Sequence, residues 1–126
     1  MNLPEFTQQH ETHYSAQHYP LTLDDYQERA ATTAIFPPER ALEYTVLGLC
    51  SEAGEVASKL KKFIRNDYGP EGAYEMISDE LSDVLWYVAA VASALGMSLE
   101  EVAILALDKL RDRKARGVLQ GSGDAR

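Results

Sequence analysis

The sequence predicts an all-α fold of four helices, two of them long and antiparallel, assembling as an oligomer. Three observations predict it. Two stretches repeat an apolar residue at alternating steps of four and three, the period of an amphipathic helix. Caps and breakers stand where such helices would start and stop. No segment alternates polar and apolar residues as a strand does.

The first helix opens at Thr22, an N-cap residue with Asp24 and Asp25 in the turn that follows, and should run to about Ala34. Pro37-Pro38 interrupts it. The second helix then runs from about Glu39 to about Arg65, with the stripe Leu42, Val46, Leu49, Ala53, Val56, Leu60, Phe63. Asn66-Asp67-Tyr68-Gly69-Pro70 reads as a loop. The third helix spans about Glu71 to Leu95 on the stripe Ile77, Leu81, Val84, Val88, Val91, Leu95, and Gly96 closes it. Ser98 and Glu101 make a capping box for a fourth helix, which reaches about Ala115 before Gly117. Two long helices joined by a short loop form an antiparallel hairpin. One hairpin and two shorter helices leave apolar surface uncovered, so a homo-oligomer, dimer or tetramer, is expected.

At 126 residues the chain is one domain by size, with 45% hydrophobic and 25% charged residues. Residues 1–21 lack periodicity and read as a flexible arm, and 22–126 form the helical domain. The arm holds His10, His13 and His18, but no cysteine or acid pair completes a zinc site at the usual spacing. No apolar run reaches the roughly 20 residues of a membrane span, and no basic start precedes an apolar stretch as in a signal peptide. A single cysteine, Cys50, fits a reducing compartment. A cytoplasmic protein with no membrane partner is the expectation.

The net charge of −8 argues against a general nucleic-acid binder. The charge is also segregated. Nine of the 12 basic residues fall in two clusters, Lys59-Lys61-Lys62-Arg65 and Lys109-Arg111-Arg113-Lys114-Arg116. Between Asn66 and Glu101 there is no Lys or Arg but there are eight acids, which suggests a site that handles both cations and anions.

The most informative feature is a repeat inside the two long helices. Leu49-Cys50-Ser51-Glu52-Ala53-Gly54-Glu55-Val56 aligns with Ile77-Ser78-Asp79-Glu80-Leu81-Ser82-Asp83-Val84 at an offset of 28 residues. Residues three apart share a helix face, so Glu52/Glu55 and Glu80/Asp83 each flank their apolar stripe in the same way. Helices packed stripe to stripe bring four carboxylates together at the edge of the core. Their repulsion must be offset by protonation, by basic partners or by a metal. Oxygen-only ligands favour hard cations such as Mg²⁺ or Mn²⁺, and the absence of a Glu-x-x-His motif argues against di-iron chemistry. The plainer alternative is a set of solvated salt bridges.

Basic residues extend the pattern. Lys59 and Lys62 continue the Glu52/Glu55 face, and Lys109, Arg113 and Arg116 share a face of the fourth helix. A metal-holding acid cluster beside Lys and Arg is what a polyphosphate requires. Favourable charge at a helix C-terminus also accounts for the 109–116 cluster.

Taken together, these residues resemble the MazG-like, all-α nucleoside triphosphate pyrophosphohydrolases. The carrying stretches are Gly48 to Val56, Asp79 to Tyr87, Ser98 to Ala103, and Lys109-Leu110 with Arg113, from about Thr22 to the C-terminus. The ending Gly121-Ser122-Gly123-Asp124-Ala125-Arg126 is also similar to members of the family. The resemblance implies Mg²⁺-dependent hydrolysis of a nucleoside triphosphate, deoxynucleoside triphosphates being expected, to monophosphate and pyrophosphate, in nucleotide-pool housecleaning. It implies Mg²⁺, or Mn²⁺, on Glu52, Glu55, Glu80 and Asp83 as metal-binding and catalytic acids. It implies phosphate contacts by Lys109 and Arg113, and Lys59, Lys62, Arg116, Asp124 and Arg126 are further candidate substrate-binding residues. Two positions depart from the pattern. Ser51 stands where many relatives have a further Glu, which leaves the base that activates water as a remaining acid or a metal-bound hydroxide. Ala106 stands where relatives often have Asn, which bears on substrate choice. Trp86 and Tyr87 read as core or interface residues, with stacking on a base as the alternative. Rival readings are a phosphoribosyl-ATP pyrophosphatase, a non-catalytic nucleotide-binding helical oligomer, and a nucleic-acid-binding helix at 109–116.

Overall fold

The computed structural model describes residues 21–120. The arm with its three histidines, and the tail with Asp124 and Arg126, lie outside the described residues. The described chain contains helices and no strand: α1 (Leu23–Ala31), a 3₁₀ turn (Pro38–Arg40), α2 (Ala41–Ile64), α3 (Pro70–Ala94) and α4 (Leu99–Ala115).

Each boundary has a local cause. At α1 the Thr22 hydroxyl accepts from the Asp25 amide at 3.0 Å, while the Thr22 amide donates to the Asp25 carboxylate at 3.3 Å. These bonds from Thr22 hold the Asp25 carboxyl below the usual carboxylate range. The helix stops at Ala31, three residues before the expected Ala34. Thr32 and Thr33 turn their hydroxyls back onto the carbonyls of Arg29 and Ala30, both at 2.7 Å, and the helix does not continue. The next element begins as a 3₁₀ turn, so the regular helix starts at Ala41 and not at Glu39.

α2 ends on Asn66 in the left-handed region (φ 64°), with the Asp67 amide returning to the Lys62 carbonyl at 3.0 Å. Gly69 caps α3, and Pro70 occupies its first position, where no amide hydrogen is needed. Gly96 takes φ 71° after α3, and the Met97 amide closes onto the Ala92 carbonyl at 2.9 Å. The expected capping box of α4 is present: Ser98 Oγ accepts from the Glu101 amide at 3.0 Å, and the Ser98 amide donates to Glu101 at 2.7 Å.

The α2–α3 hairpin is the body of the fold. α1 lies on α3 and reaches α4, and α3 and α4 meet at a bend of 101°. Gln27 of α1 pins this corner: its Nε2 donates to Ser93 Oγ at 2.8 Å and to the Met97 carbonyl at 3.0 Å, and its Oε1 accepts from the Leu99 amide at 2.7 Å. Among the described residues the buried ones are few and mostly small: Thr45, Ala73, Ala89, Ala92 and Leu99. Alanines on α3 let neighbouring backbones approach closely, but they bury little area each.

Much of the apolar stripe faces outward. Leu81 and Leu95 are 57% and 55% exposed, and Leu42, Val46 and Leu60 are exposed as well. On α4 Ile104, Leu105, Leu107 and Leu110 are also exposed. No single described helix is long and apolar enough to cross a membrane.

Candidate functional site

Glu52 stands 15 residues before Asp67 and Asp83 stands 16 after it. An antiparallel hairpin turning near Asp67 therefore sets them at the same level, and the 28-residue repeat points them to the same flank. Glu52, Glu80 and Asp83 each bring a carboxylate oxygen within 4.8 Å of the others. Glu52 and Glu80 are half-buried and Asp83 is exposed. Glu55, expected in the same set, is exposed and lies outside this group. It is close enough to act on Glu52 through its charge.

The electrostatics follow from the gathering of like charges. Burial first, and then the carboxylates of Asp83, Glu80 and Glu55, push the Glu52 carboxyl above its ordinary value. One internal cation relieves part of this: Lys59 Nζ lies 3.0 Å from Glu80 Oε1, with the two side chains only 19% and 13% exposed. That bond, with the charges of Glu80 and Glu55, holds the Lys59 ammonium above its usual range. The Tyr68 hydroxyl, from the α2–α3 loop, donates to the Lys59 carbonyl and ties the loop to this turn of α2. Three converging carboxylates with no nitrogen or sulfur donor suit a hard divalent cation, so the residues fit Mg²⁺ or Mn²⁺.

Beside the carboxylates opens a cleft of about 390 Å³. Glu52 and Asp83 line it together with the aromatic side chains of Phe36, Tyr44, Trp86 and Tyr87. Phe36 stacks on Tyr44 with centroids 5.2 Å apart, and Trp86 meets Tyr87 edge to face at 4.9 Å. Trp86 Nε1 donates to Thr33 Oγ1 at 2.8 Å, joining the loop after α1 to α3. Burial first, then Tyr44 and the charges of Glu52 and Asp83, raise the Tyr87 hydroxyl above its ordinary value. Sequence reasoning missed Phe36 and Tyr44 here. It weighed Trp86 and Tyr87 chiefly as core, though their position directly after the second acidic motif was the available signal.

The basic residues divide. Lys59 is at the site, and Lys62 is half-buried on α2. Among the described residues α4 has no neighbour in α2. Lys109 and Arg113 stand 10 and 14 residues past Leu99, on the order of 15–21 Å along α4 from its bend with α3. Within one chain they are therefore not brought to the carboxylates. Arg116 pairs with Asp112 at 2.7 Å.

Residues 40–118 match the model of the MazG nucleotide pyrophosphohydrolase domain. The Gene 37 protein of Mycobacterium phage L5 is 43% identical over 114 residues, covering 84% of this chain and all of that protein. The crystal structure of iMazG from Vibrio DAT 722 superposes with a TM-score of 0.55 at 24% identity, over 75% of this chain and 97% of that one. That likeness is one of fold. With its domain match spanning most of the helical region, the chain belongs to the MazG nucleotide pyrophosphohydrolase family.

Proposed function

We propose that the protein hydrolyses nucleoside triphosphates, deoxynucleoside triphosphates foremost, to the monophosphate and pyrophosphate in a Mg²⁺-dependent reaction that clears the nucleotide pool. The observation that carries this reading is the continuity of three converging carboxylates with an aromatic cleft. A nucleotide has the same polarity: a polyanion at one end and a stacking base at the other.

Glu52, Glu80 and Asp83 would hold the metal. When bound, Mg²⁺ supplies positive charge to phosphoryl oxygens and lowers the pKa of a coordinated water. The chain's own residues do the rest. Hydrolysis joins a water oxygen to the α-phosphorus and breaks its bond to the oxygen bridging to the β-phosphorus, so pyrophosphate leaves and a proton must be removed. Glu55, whose charge acts on Glu52 but which lies outside the triad, would take that proton, since Ser51 offers no carboxylate. Phe36, Tyr44, Trp86 and Tyr87 hold the nucleoside and keep water from that end of the cleft. Lys62, Lys109, Arg113 and Arg116, with Arg126 of the tail, supply the phosphate contacts, and Asp124 joins them as a substrate-binding residue. The α4 residues do so across the contact between copies of the chain, since the exposed stripes favour a homo-oligomer.

Product analysis with the full set of ribo- and deoxynucleoside triphosphates, and phosphoribosyl-ATP, tests the reading. Pyrophosphate and monophosphate should appear with Mg²⁺ and not with a chelator. Release of orthophosphate, or no turnover of any nucleotide, would refute it.

A further inference from the structure

The Lys59–Glu80 pair differs from other ion pairs in the molecule. Arg111–Asp108 and Arg116–Asp112, on α4, join side chains that are each 48% exposed or more. Such pairs are solvated and contribute little. Lys59 and Glu80 meet between α2 and α3, sheltered from solvent on both sides. Glu80 is at the same time one of the three carboxylates that converge with Glu52 and Asp83. A divalent ion held by all three would share the Glu80 carboxylate with the Lys59 ammonium. Two cations side by side, where water screens poorly, repel each other strongly. A dication in the triad therefore expels the ammonium from Glu80.

The expulsion needs only a side chain to move. The Tyr68 hydroxyl donates to the Lys59 carbonyl and holds the α2 backbone there from outside the helix. Tyr68 itself packs on Gly72 in the first turn of α3, where an added Cβ would stand 3.2 Å from the Tyr68 Cβ. The ammonium, by contrast, rides on four flexible carbons. Glu52, Glu55 and Lys59 stand at steps of three and four along α2, so a released ammonium stays on the flank of the acids. Phosphates drawn to that flank by the dication are stronger acceptors for it than the exposed Glu55 carboxylate.

We infer that Lys59 is the resident cation of the carboxylate site: a divalent ion must displace its ammonium from Glu80, and the phosphates of the nucleotide then take the ammonium up, so metal and nucleotide each tighten the binding of the other. The uptake by phosphate rests on the hydrolase reading above; the displacement does not. Linkage makes the coupling equal from either side.

The displacement is tested without nucleotide, by Mn²⁺ titration read from the paramagnetic resonance of the free ion. Lys59→Met should bind Mn²⁺ about tenfold tighter than wild type, because no ammonium has to leave. Lys59→Gln takes its place if Lys59→Met does not fold. Lys59→Arg, which keeps the charge, should stay within about threefold of wild type. Lys61→Met, which removes an equal charge from an exposed position on α2, should change the affinity less than about twofold. Unchanged or weaker Mn²⁺ binding in Lys59→Met, or an equal gain in Lys61→Met, overturns the displacement. Wild-type protein gives a second reading: acetylation of Lys59 by acetic anhydride, located by mass spectrometry, should be faster with Mn²⁺ than in chelator, because the amine has left its shelter. A rate indifferent to Mn²⁺ overturns the displacement as well.

The coupling is tested by equilibrium dialysis with a dATP analogue whose α- and β-phosphorus are bridged by methylene. Saturating Mn²⁺ should tighten its binding about tenfold less in Lys59→Met than in wild type. Equal tightening in both overturns the uptake by phosphate. Should wild-type protein neither bind the analogue nor hydrolyse any nucleotide, the hydrolase reading and the uptake fail together, and the Mn²⁺ titration still decides the displacement.

Discussion

Lys59 Nζ and Glu80 Oε1 lie 3.0 Å apart across the α2–α3 hairpin, so the carboxylate cluster carries its own cation. Expected as a phosphate ligand, Lys59 in this state is the counter-ion of a metal ligand. Its removal should leave Glu80 facing Glu52 and Asp83 with no compensation. Lys59→Met is expected to lower the urea midpoint in chelator, and added Mg²⁺ should restore most of the loss. A midpoint unchanged in chelator would show that solvent already screens the cluster.

The carboxylates should separate by role. Glu52→Gln, Glu80→Gln and Asp83→Asn each remove a ligand oxygen charge and should weaken Mn²⁺ binding, read by titration, by at least about tenfold. Activity should fall with it. Glu55→Gln should leave Mn²⁺ binding near wild type while kcat falls about 10²-fold or more. Equal losses of metal binding in all four variants would return Glu55 to the ligand set.

The raised Glu52 carboxyl fixes a pH dependence. Folding here favours the protonated acid, so the folded state binds more protons than the unfolded state. That contribution is present at pH below Glu52's ordinary value and is lost as pH rises through its raised folded value. In chelator, wild-type stability should therefore fall relative to Glu52→Gln as pH climbs through and above the carboxylate range. Asp25 works in the opposite sense, because its lowered carboxyl adds stability above its ordinary range and loses it on acidification. The comparison with Glu52→Gln cancels that term, and urea midpoints of the two proteins across pH check the sign.

Association should depend on the outward stripe. Leu81 and Leu85 are one turn apart on α3 and both exposed, so the double substitution to Arg removes little from the subunit's own packing. Sedimentation should show a monomer at micromolar concentration with helix content retained. An unchanged oligomer would move the interface elsewhere.

If α4 serves a neighbouring copy, its basic face should complement in trans. Lys109→Ala and Arg113→Ala are each expected to lower kcat/KM by about 10–100-fold. Mixing inactive Glu52→Gln chains with inactive Arg113→Ala chains, followed by exchange, should recover part of the wild-type rate. No recovery in exchanged mixtures would mean that both groups act on a site within one chain.

What the sequence displays well is whatever is local. Thr22, Ser98 with Glu101, Gly96 and Gly117 announce helix ends because capping is a contact between residues a few positions apart. The acidic triad is legible because the 28-residue offset, about a loop centred near Asp67, carries its own geometry. The aromatic cleft is not, since Phe36 and Tyr44 meet Trp86 and Tyr87 only after α1 and its loop dock on α3. The 101° bend before α4 is hidden for a similar reason: the pattern marks Gly96 as a stop but does not aim the next helix. The early end of α1 reflects two threonine hydroxyls competing for carbonyls, which periodicity does not register.

Gln27 has a consequence for motion. The loop that carries Thr33 and Phe36 to the wall of the cleft continues directly from α1, and α1 is moored to the α3–α4 corner by polar side chains, Gln27 and Asp24, whose carboxylate accepts from the Glu100 amide at 3.4 Å. Around the mooring lie alanines, Ala30, Ala31, Ala89 and Ala90, bordering a small cavity of about 180 Å³ rather than filling it. Held by these side-chain bonds and by the Trp86–Thr33 bond, the attachment can release while the α2–α3 hairpin stays formed. Amide exchange in α1 should then run ahead of exchange in the hairpin, and this wall of the cleft can swing aside as a unit, giving product a way out that leaves the carboxylates in register.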